Sequence, residues 1–523
     1  MDRRTAIERM GQEEFEVLVV GGGATGLGVA VDAASRGYRT ALVEAHDFAQ
    51  ATSSRSTKLV HGGVRYLEQM DFGLVTEALR ERGILYRNAP HLVRDLPFVV
   101  PRYKWWEGPF YGIGLKLYDA LAGSLNLAPS RSLGHDETVA AIPNVESEGL
   151  LGGIVYHDGQ FDDARMAIAL ALTAHDHGAA VANRVEVVGF DKRDGQIAGV
   201  RAIDREDGRE FAIRAKVVVN ATGIFSDTVR RLDDPASPPQ VEPAQGVHLV
   251  LDRSFAPSEH AIMVPHTDDG RVLFVIPWHG CTLVGTTDTP MERADLEPRA
   301  LPEEIEFILR NAARYLARDP KRSDVRSVFA GQRPLVHRGG AHGPTKSLSR
   351  SHEVIVAPSG LVTIVGGKWT TYRKMAEDAM SHAVVVGGLP SKVCVTESLR
   401  VHGALDRDDP ALPTEDPLRT YGADAAAIVA LSSEREGLGD PLHPHLPYTL
   451  AQIVWACRRE MALSVEDALS RRTRCLLLDA RAASEVAPRV AAAMAAELGW
   501  DEARTQREIE AFQRLAQSYL APT

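Results

Sequence analysis

The sequence predicts an α/β protein with a Rossmann-type dinucleotide-binding domain, a β-rich second domain and a C-terminal helical domain. Three stretches of the chain lead to this prediction. Residues 17–44 follow a strand–turn–helix–strand pattern, residues 241–350 hold short apolar strands between proline and glycine turns, and residues 391–523 are mostly helical in pattern. Strands that alternate with helices are typical of a parallel sheet, whereas a run of strands favours an antiparallel or mixed sheet.

The glycine-rich turn near the N-terminus is the strongest functional motif. Apolar residues 17–20 predict a buried strand, and Gly21, Gly23 and Gly26 then give G-x-G-x-x-G before an alanine-rich helix. Gly21 permits the tight turn, Gly23 lets backbone N–H groups approach a pyrophosphate, and Gly26 lets helix and strand pack closely. Glu44 ends the next strand, 18 residues after Gly26, where a carboxylate can accept hydrogen bonds from a ribose. The motif therefore predicts a dinucleotide cofactor and leaves NAD and FAD as alternatives.

Composition excludes several other classes of protein. The chain has 523 residues with a net charge of -11, which suits two or three globular domains and argues against nucleic-acid binding. Its four cysteines form no C-x-x-C pair, and no EF-hand pattern is present, so we predict neither a metal site nor a disulfide framework. The N-terminus is too charged for a signal peptide, and glycines interrupt the first apolar run. We therefore expect a cytoplasmic or peripherally membrane-bound protein.

The segment after Glu44 is the next candidate for ligand binding. Residues 45–68 read AHDFAQATSSRSTKLVHGGVRYLE and contain few large apolar side chains. Such a loop can offer many hydrogen bonds to a polar ligand, but a solvated surface loop has the same composition.

This segment, placed after a Rossmann unit, resembles the FAD-dependent glycerol-3-phosphate dehydrogenases of the D-amino-acid-oxidase-like flavoprotein superfamily. The later stretches VVVNATGIFSD, LFVIPW, VGTTD, AGQRPL and VGGKWTTYRKMAE agree with this family in order and spacing. The resemblance covers residues 14–390 and, more loosely, the helical tail. It implies that the dinucleotide is FAD. It also implies that FAD is bound non-covalently, although a histidine near such a loop can carry a covalent flavin in this superfamily.

The resemblance also divides the chain into segments. These are residues 1–104, 150–240 and 351–390 for the FAD-binding domain, 105–149 for an aromatic-rich insertion, 241–350 for the substrate-binding domain, and 391–523 for the C-terminal helical domain. The residues that it places at the cofactor are Gly21, Gly22, Gly23, Thr25, Gly26, Glu44, Ala45, Thr52, Ser53, Ser54, Ser56, Lys58, His61, Gly62, Gly63, Val187, Ala221, Thr222, Gly223, Gly366, Gly367, Lys368, Thr370 and Thr371.

Catalytic and substrate-binding residues follow from the same family motifs. His248 alone would be interpreted as an ordinary strand histidine, but the resemblance makes it the general base, since imidazole titrates near neutral pH. Arg333 is predicted to stabilise the developing charge on the substrate oxygen. The resemblance implies that the phosphate and the rest of the substrate contact Arg65, Tyr66, Thr286, Arg350 and Lys368.

The implied reaction is oxidation of sn-glycerol 3-phosphate to dihydroxyacetone phosphate by hydride transfer to FAD. The resemblance further implies electron transfer to a membrane quinone, peripheral association with the inner face of the cell membrane, and a homodimer. Three alternatives remain: a glycerol-3-phosphate oxidase that uses O₂, an amine or amino-acid oxidase of the same superfamily, and a non-enzymatic flavin-binding scaffold.

Two further segments allow competing interpretations. Within residues 102–123, the stretch 105–118 contains five aromatic side chains with basic flanks, which suits either a bilayer interface or a packed core helix. In the tail we predict helices over 449–462, 464–478, 482–498 and 501–519. The basic cluster of Arg471, Arg472 and Arg474 is predicted to form a solvated face, with a membrane or partner contact as the alternative.

Overall fold

The fold is described by a computed structural model that covers residues 1–63, 72–336 and 351–522. Its strands, in chain order, are β1 Glu14–Val20, β2 Thr40–Val43, β3 Leu59–Val60, β4 Val93–Arg102, β5 Arg131–Leu133, β6 Gly152–Phe161, β7 Ala180–Ala182, β8 Val185–Arg193, β9 Gln196–Asp204, β10 Glu210–Asn220, β11 Val241–Asp252, β12 Ala261–Val264, β13 Leu273–Trp278, β14 Cys281–Gly285, β15 Thr289–Pro290, β16 Val325–Val336, β17 His352–Val356, β18 Val362–Gly366, β19 Pro441–His443 and β20 Leu446–Thr449.

The described residues also form α-helices. They are α1 Arg3–Gln12, α2 Ala24–Ser35, α3 Phe72–Asn88, α4 Glu107–Ala122, α5 His135–Ala141, α6 Asp163–Asp176, α7 Ser226–Asp233, α8 Pro302–Ala313, α9 Tyr372–Val386, α10 Ala425–Leu431, α11 Leu450–Arg459, α12 Cys475–Leu478, α13 Ala480–Leu498 and α14 Glu502–Gln517. Among the residues that the structure covers, none of these helices combines the length and the apolarity needed to cross a bilayer.

The first sheet has the predicted Rossmann topology. Its strand order is β17-β18-β10-β1-β2-β7, and the pairs from β18 to β7 are parallel. Helix α2 connects β1 to β2 and packs against α6 and α9, so one face of the sheet is covered by helices. Residues 17–20 of β1 and all of β2 are buried, as expected for a parallel sheet that is covered on both faces. The predicted fold class is confirmed.

A three-stranded meander covers part of the other face. Strands β8, β9 and β10 are consecutive and antiparallel. The β8–β9 turn places Asp194 and Gly195 at positive φ, 51° and 79°, as a two-residue type I′ hairpin requires. An Asp-Gly pair between two apolar runs is the sequence pattern typical of such a hairpin.

The second sheet is mixed and has ten strands. Its main order is β15-β11-β14-β13-β12-β4-β6-β3, with β16 added to β11 and β5 to β6. Strands β3, β4 and β6 come from segments that the sequence placed in the FAD-binding domain. The predicted boundary at residue 104 therefore does not separate the two sheets. The reason is that an apolar run specifies a buried strand but not the sheet that it joins.

The C-terminal helices pack against the second sheet, but they differ from the predicted pattern in one place. The helix predicted over 464–478 is divided into a π-helical turn, Asp467–Arg472, and the short helix α12. The basic cluster lies in this divided region and is fully buried: the side chains of Arg471, Arg472 and Arg474 are 2%, 0% and 0% exposed. The predicted solvated face is therefore wrong.

These three arginines are buried because acidic groups of the Rossmann domain and the tail neutralise them. Arg472 donates both terminal guanidinium N–H groups to Asp47, at 2.6 and 2.7 Å, and Arg471 donates to the same carboxylate at 2.6 Å. Arg474 donates to Asp163 at 3.0 Å and to the Ser54 carbonyl at 2.8 Å. The guanidinium groups hold the pKa of the Asp47 carboxyl well below its usual range, although burial alone would raise it.

Removal of one charge from this network should destabilise the protein strongly. Arg472→Met leaves the buried Asp47 with fewer donors and exposes the Glu460 carbonyl, which also accepts from Arg472, to an apolar neighbour. We expect a cost of about 3–5 kcal/mol, because removal of one partner leaves a buried charge that is incompletely compensated and not solvated. Thermal unfolding followed by intrinsic fluorescence measures this loss.

Arg458→Met is the matched control. Arg458 pairs with Glu434 and Glu497 at the surface, where its side chain is 41% exposed. We expect this substitution to cost less than about 1 kcal/mol. Equal unfolding temperatures for the two variants would contradict the role assigned to the buried network.

His402 forms two hydrogen bonds that stabilise the segment between the first sheet and the tail. Both ring nitrogens of His402 face carboxylates, Asp176 at 2.5 Å and Asp424 at 3.0 Å. Two acceptors require two N–H donors, and these hydrogen bonds raise the pKa of His402 from 6.5 to about 9. His402 is therefore protonated at neutral pH.

The raised pKa of His402 predicts a pH dependence of stability. The stabilisation by His402 is complete below pH 6.5, its unfolded value, and is lost as the pH rises through about 9. The stability difference between the wild type and His402→Gln should therefore be largest near pH 6 and should shrink by about pH 10. Thermal unfolding of both proteins across this range tests the expectation, which a pH-independent difference would contradict.

Candidate functional site

A large cavity of about 910 Å³ lies where the carboxyl ends of the parallel strands meet the second sheet. The ends of β1, β10 and β18 form one wall, and β11, β13 and β16 form the opposite wall. Ligands of open α/β sheets bind outside the carboxyl ends of the strands, so this position is the one expected for a cofactor. Its volume is at the upper end of the usual range for ligand pockets.

The glycine-rich turn forms a close-packed cradle at one end of this cavity. A Cβ atom at Gly21 would lie 2.6 Å from the Ala221 carbonyl oxygen, and one at Gly26 would lie 1.9 Å from the Gly21 carbonyl oxygen. Gly21 also has φ +113°, which other residues rarely adopt. Helix α2 begins directly after Gly23, which has no side chain to cap it, so the positive end of the helix dipole lies at this cradle, where it favours an anion.

Glu44 lies beside this cradle and lines the cavity. Its two oxygens accept hydrogen bonds from the backbone N–H groups of Gly22, at 2.6 Å, and His46, at 2.7 Å. Burial raises the pKa of Glu44, and these two N–H groups oppose that shift. Each oxygen keeps a second lone pair, so the carboxylate can still accept from a ribose hydroxyl. The glycine cradle, the N-terminus of α2 and the Glu44 carboxylate together fit the adenosine diphosphate part of FAD.

The polar loop folds over the centre of the cavity. Ser53 accepts the Ala24 N–H at 2.9 Å, and its carbonyl accepts the indole N–H of Trp369 at 2.8 Å. Thr52 donates to the Gln332 carbonyl in the second sheet at 2.6 Å. The loop is thus bonded to both walls, and the alternative of a solvated surface loop does not describe it.

Most of the predicted cofactor residues line this cavity. They are Gly21, Gly23, Thr25, Glu44, Ala45, Thr52, Ser53, Ser56, His61, Gly63, Val187, Ala221, Thr222, Gly223, Gly366, Gly367, Lys368 and Thr370. The predicted residues that lie behind the lining are Gly22, Gly26, Ser54, Lys58, Gly62 and Thr371.

Lys58 is the clearest difference from the predicted set. Its ammonium is fully buried and donates to Asp163 at 2.7 Å and to the Ser54 carbonyl at 2.8 Å. Burial lowers the pKa of Lys58 to about 8, although the Asp163 carboxylate opposes this shift. Lys58 therefore supports the loop from behind rather than facing the cofactor.

The segment before α9 closes the cavity from the first sheet. Gly366 ends β18, and Gly367 and Lys368 connect it to the short turn Trp369–Thr371, which continues into α9. Thr370 accepts the His61 N–H at 3.2 Å, which connects this segment to the polar loop. A lysine and a helix start at this place can stabilise negative charge on a bound flavin ring.

The second sheet supplies the predicted catalytic pair. His248, on β11, is 2% exposed and stacks on Phe329 with ring centroids 4.9 Å apart. Its Nε2 lies 3.0 Å from the Thr57 hydroxyl oxygen. Burial, with smaller contributions from Lys58 and Arg333, holds the pKa of His248 well below its usual range. The neutral imidazole is the form that can accept a proton.

Two arginines and one carboxylate form the charged part of this wall. Arg333, on β16, donates to Asp288 at 3.1 Å and to the Thr286 hydroxyl at 3.3 Å. Arg271 lies 3.3 Å from the other oxygen of Asp288. Arg271, Asp288, Thr286 and Arg333 all line the cavity, so this corner can receive an anionic substrate.

The structure brings His248, Thr286, Arg333 and Lys368 to one cavity, whereas Arg65, Tyr66 and Arg350 lie outside the described residues. The sequence analysis did not identify Thr57, Arg271 or Asp288. Thr57 stands inside the serine- and threonine-rich run, which could have indicated it. Asp288 ends the VGTTD motif, which could also have indicated it. Arg271 lies just before β13, and no motif distinguishes it from a surface charge.

Comparison with known families gives two matches. The model of the FAD-dependent oxidoreductase family matches residues 16–373. The model described as the C-terminal domain of alpha-glycerophosphate oxidase matches residues 362–505.

Individual proteins similar to this chain include glycerol-3-phosphate dehydrogenases. The mitochondrial glycerol-3-phosphate dehydrogenase of Mesocricetus auratus is 43% identical over 95% of this chain and 72% of its own length, and that of Homo sapiens is 42% identical over the same shares. The glycerol-3-phosphate dehydrogenase of Bacillus halodurans, solved with FAD, has a TM-score of 0.81 and 30% identity over 99% of this chain and 98% of its own.

Proposed function

The chain belongs to the FAD-dependent oxidoreductase family, within its glycerol-3-phosphate dehydrogenases, and from this premise we propose that it oxidises sn-glycerol 3-phosphate to dihydroxyacetone phosphate. One observation supports this function most directly. A buried neutral imidazole, His248, and the cations Arg271, Arg333 and Lys368 meet in the cavity that also contains the dinucleotide cradle. Proton removal, anion binding and cofactor binding are thus combined in one site.

Each group of residues has a separate role in the proposed reaction. FAD, held non-covalently, supplies the hydride acceptor when it is bound. The cradle and Glu44 would hold its adenosine diphosphate part, and the segment around Lys368 would stabilise negative charge on its ring. His248 receives the proton of the C2 hydroxyl, and Arg333 stabilises the charge that develops on that oxygen. Arg271 and Lys368, with Arg65, Tyr66 and Arg350, bind the phosphate.

The electron acceptor is proposed to be a membrane quinone. One end of the cavity is apolar and is lined by Phe98, Tyr111, Tyr156, Met263 and Phe274. Tyr111 belongs to α4, so this end of the cavity lies directly under that helix. An apolar ring compound suits such a lining better than it suits the polar end.

Helix α4 has the two faces of an interfacial helix. Tyr111, Leu115 and Tyr118 are buried, which agrees with the core interpretation for one face. On the other side Phe110 and Ile113 are 53% and 73% exposed, and Trp105, two residues before the helix begins, is 81% exposed. Aromatic and aliphatic side chains exposed beside lysines favour insertion into the headgroup region of a bilayer. We propose that this face attaches the protein peripherally to the inner face of the cell membrane.

The first test of the proposed reaction is anaerobic reduction of the bound flavin. Glycerol 3-phosphate should bleach the yellow band of the purified protein, and glycerol, which lacks the phosphate, should not. Arg333→Met should slow the bleaching by about 10²–10³-fold, because it removes the charge beside the reacting oxygen. Stopped-flow absorbance measures these rates.

Arg310→Lys, at a 57% exposed position of α8, is the control and should react like the wild type. A wild-type protein that stays oxidised with glycerol 3-phosphate would contradict the proposed function. Rapid peroxide formation in air, with no quinone reduction, would instead favour the oxidase alternative, which the match to the oxidase C-terminal domain keeps open.

The membrane face is tested by substitution of its exposed side chains. The triple variant Trp105→Ser, Phe110→Ser, Ile113→Ser should lose flotation with anionic vesicles, since it removes most of the apolar surface that α4 exposes. The double variant Val385→Ser, Val393→Ser changes side chains that are 79% and 83% exposed elsewhere and should float like the wild type. Flotation of the triple variant at the wild-type level would exclude α4 as the contact.

A further inference from the structure

The imidazole of His248 is shielded from the cavity on most sides. One ring face stacks on Phe329, and its Cδ2 edge is so close to β14 that a Cβ atom at Gly285 would lie 2.3 Å away. Nδ1 is buried and has no hydrogen-bond partner among the residues that the structure describes. Nε2 meets the Thr57 hydroxyl at 3.0 Å. Thr57 is half-buried and lines the cavity, so its hydroxyl lies between the ring and the substrate space.

Thr57 is held firmly in this position by its two neighbours. The backbone N–H and hydroxyl of Ser56 donate to Asp163 at 2.9 and 2.7 Å, and the Lys58 ammonium donates to the same oxygen at 2.7 Å. The Lys58 N–H also donates to the Ser56 hydroxyl oxygen at 3.0 Å. A side chain between two anchored residues is preorganised, which is what a group that transfers a proton requires.

We propose that Thr57 relays the proton between the C2 hydroxyl of the substrate and Nε2 of His248. This inference rests on the proposed function and adds a residue to it. The substrate hydroxyl gives its proton to Oγ1 of Thr57 while the Thr57 hydroxyl gives its own proton to Nε2. Thr57 ends unchanged, His248 becomes imidazolium, and the hydride of C2 leaves to FAD, so protons and electrons balance.

The relay requires one tautomer of His248. Nε2 must hold the lone pair and accept from the Thr57 hydroxyl, and Nδ1 must carry the proton. In the opposite tautomer Nε2–H donates to Thr57, and no proton can pass to the ring by this route. The charged groups around the ring are Lys58, which pairs with Asp163, and Arg333, which pairs with Asp288.

Three variants test the relay on the complete FAD-loaded protein. Thr57→Val keeps the branched shape and removes the hydroxyl, Thr57→Ser keeps the hydroxyl, and Thr57→Ala controls for packing. We expect Thr57→Val and Thr57→Ala to slow anaerobic bleaching by about 10²-fold or more, the usual size of a proton-transfer contribution, and Thr57→Ser to stay within about 10-fold of the wild type. Flavin content and thermal unfolding confirm that each variant is folded.

The outcomes separate the relay from the reaction itself. If glycerol 3-phosphate does not bleach the flavin of the wild-type protein, both the proposed reaction and the relay are overturned. Bleaching of the wild type with an equal rate in Thr57→Val would overturn the relay alone. The relay would also be overturned if Thr57→Val and Thr57→Ser were equally slow, because the hydroxyl would then not be the active group.

Nuclear magnetic resonance gives a readout that does not depend on turnover. Protein labelled with ¹⁵N in its histidine rings should show His248 as the Nδ1–H tautomer, with the signal assigned by its loss in His248→Gln. Thr57→Val should move the Nε2 signal, since it removes the hydrogen bond, and Thr57→Ser should restore it. A His248 that carries its proton on Nε2 would overturn the relay.

Discussion

The carboxylate of Asp163 is the constraint on which the site depends. It stands at the start of α6 and accepts from Ser56, Lys58, Arg474 and the N–H of Ala164. The loop that it holds has few large apolar side chains, so hydrophobic burial alone cannot order it. A fully buried carboxylate with this many donors is costly to form and costly to disturb, which makes the loop conformation specific.

The same network explains why the C-terminal helices belong to the site although none of their residues, within the part of the tail that the structure describes, lines the cavity. Arg474 reaches Asp163 and the Ser54 carbonyl from the tail, and Arg471 and Arg472 reach Asp47 at the start of the loop. Arg165 of α6 forms a buried pair with Glu460 of the tail at 2.8 Å. The tail therefore stabilises the loop from the side away from the cavity. Removal of the tail would leave Asp47 and Asp163 with fewer hydrogen-bond donors.

The sequence predicts the Rossmann unit well because its signals are local: a buried strand, a glycine turn and an acid at the end of the next strand. Most of the cofactor residues that the family motifs indicate also line the cavity. Prediction from the sequence fails where the outcome depends on distant partners. The arginines of the tail look like a solvated face because nothing near them in the chain shows that Asp47 and Asp163 will neutralise them. Arg271 is missed for the same reason, since its pairing with Asp288 is a property of the folded sheet.

Charge in the cavity links substrate binding to proton transfer. Burial disfavours a positive His248 most strongly, and the neighbouring cations Lys58 and Arg333 add to this effect. The imidazole is therefore kept neutral and able to accept a proton, but the imidazolium that results is unfavourable in the absence of substrate. A bound phosphate dianion brings negative charge into the same cavity and so reduces the cost of the imidazolium charge. In this arrangement the substrate supplies part of the electrostatic condition for its own oxidation, and an alcohol without a phosphate does not.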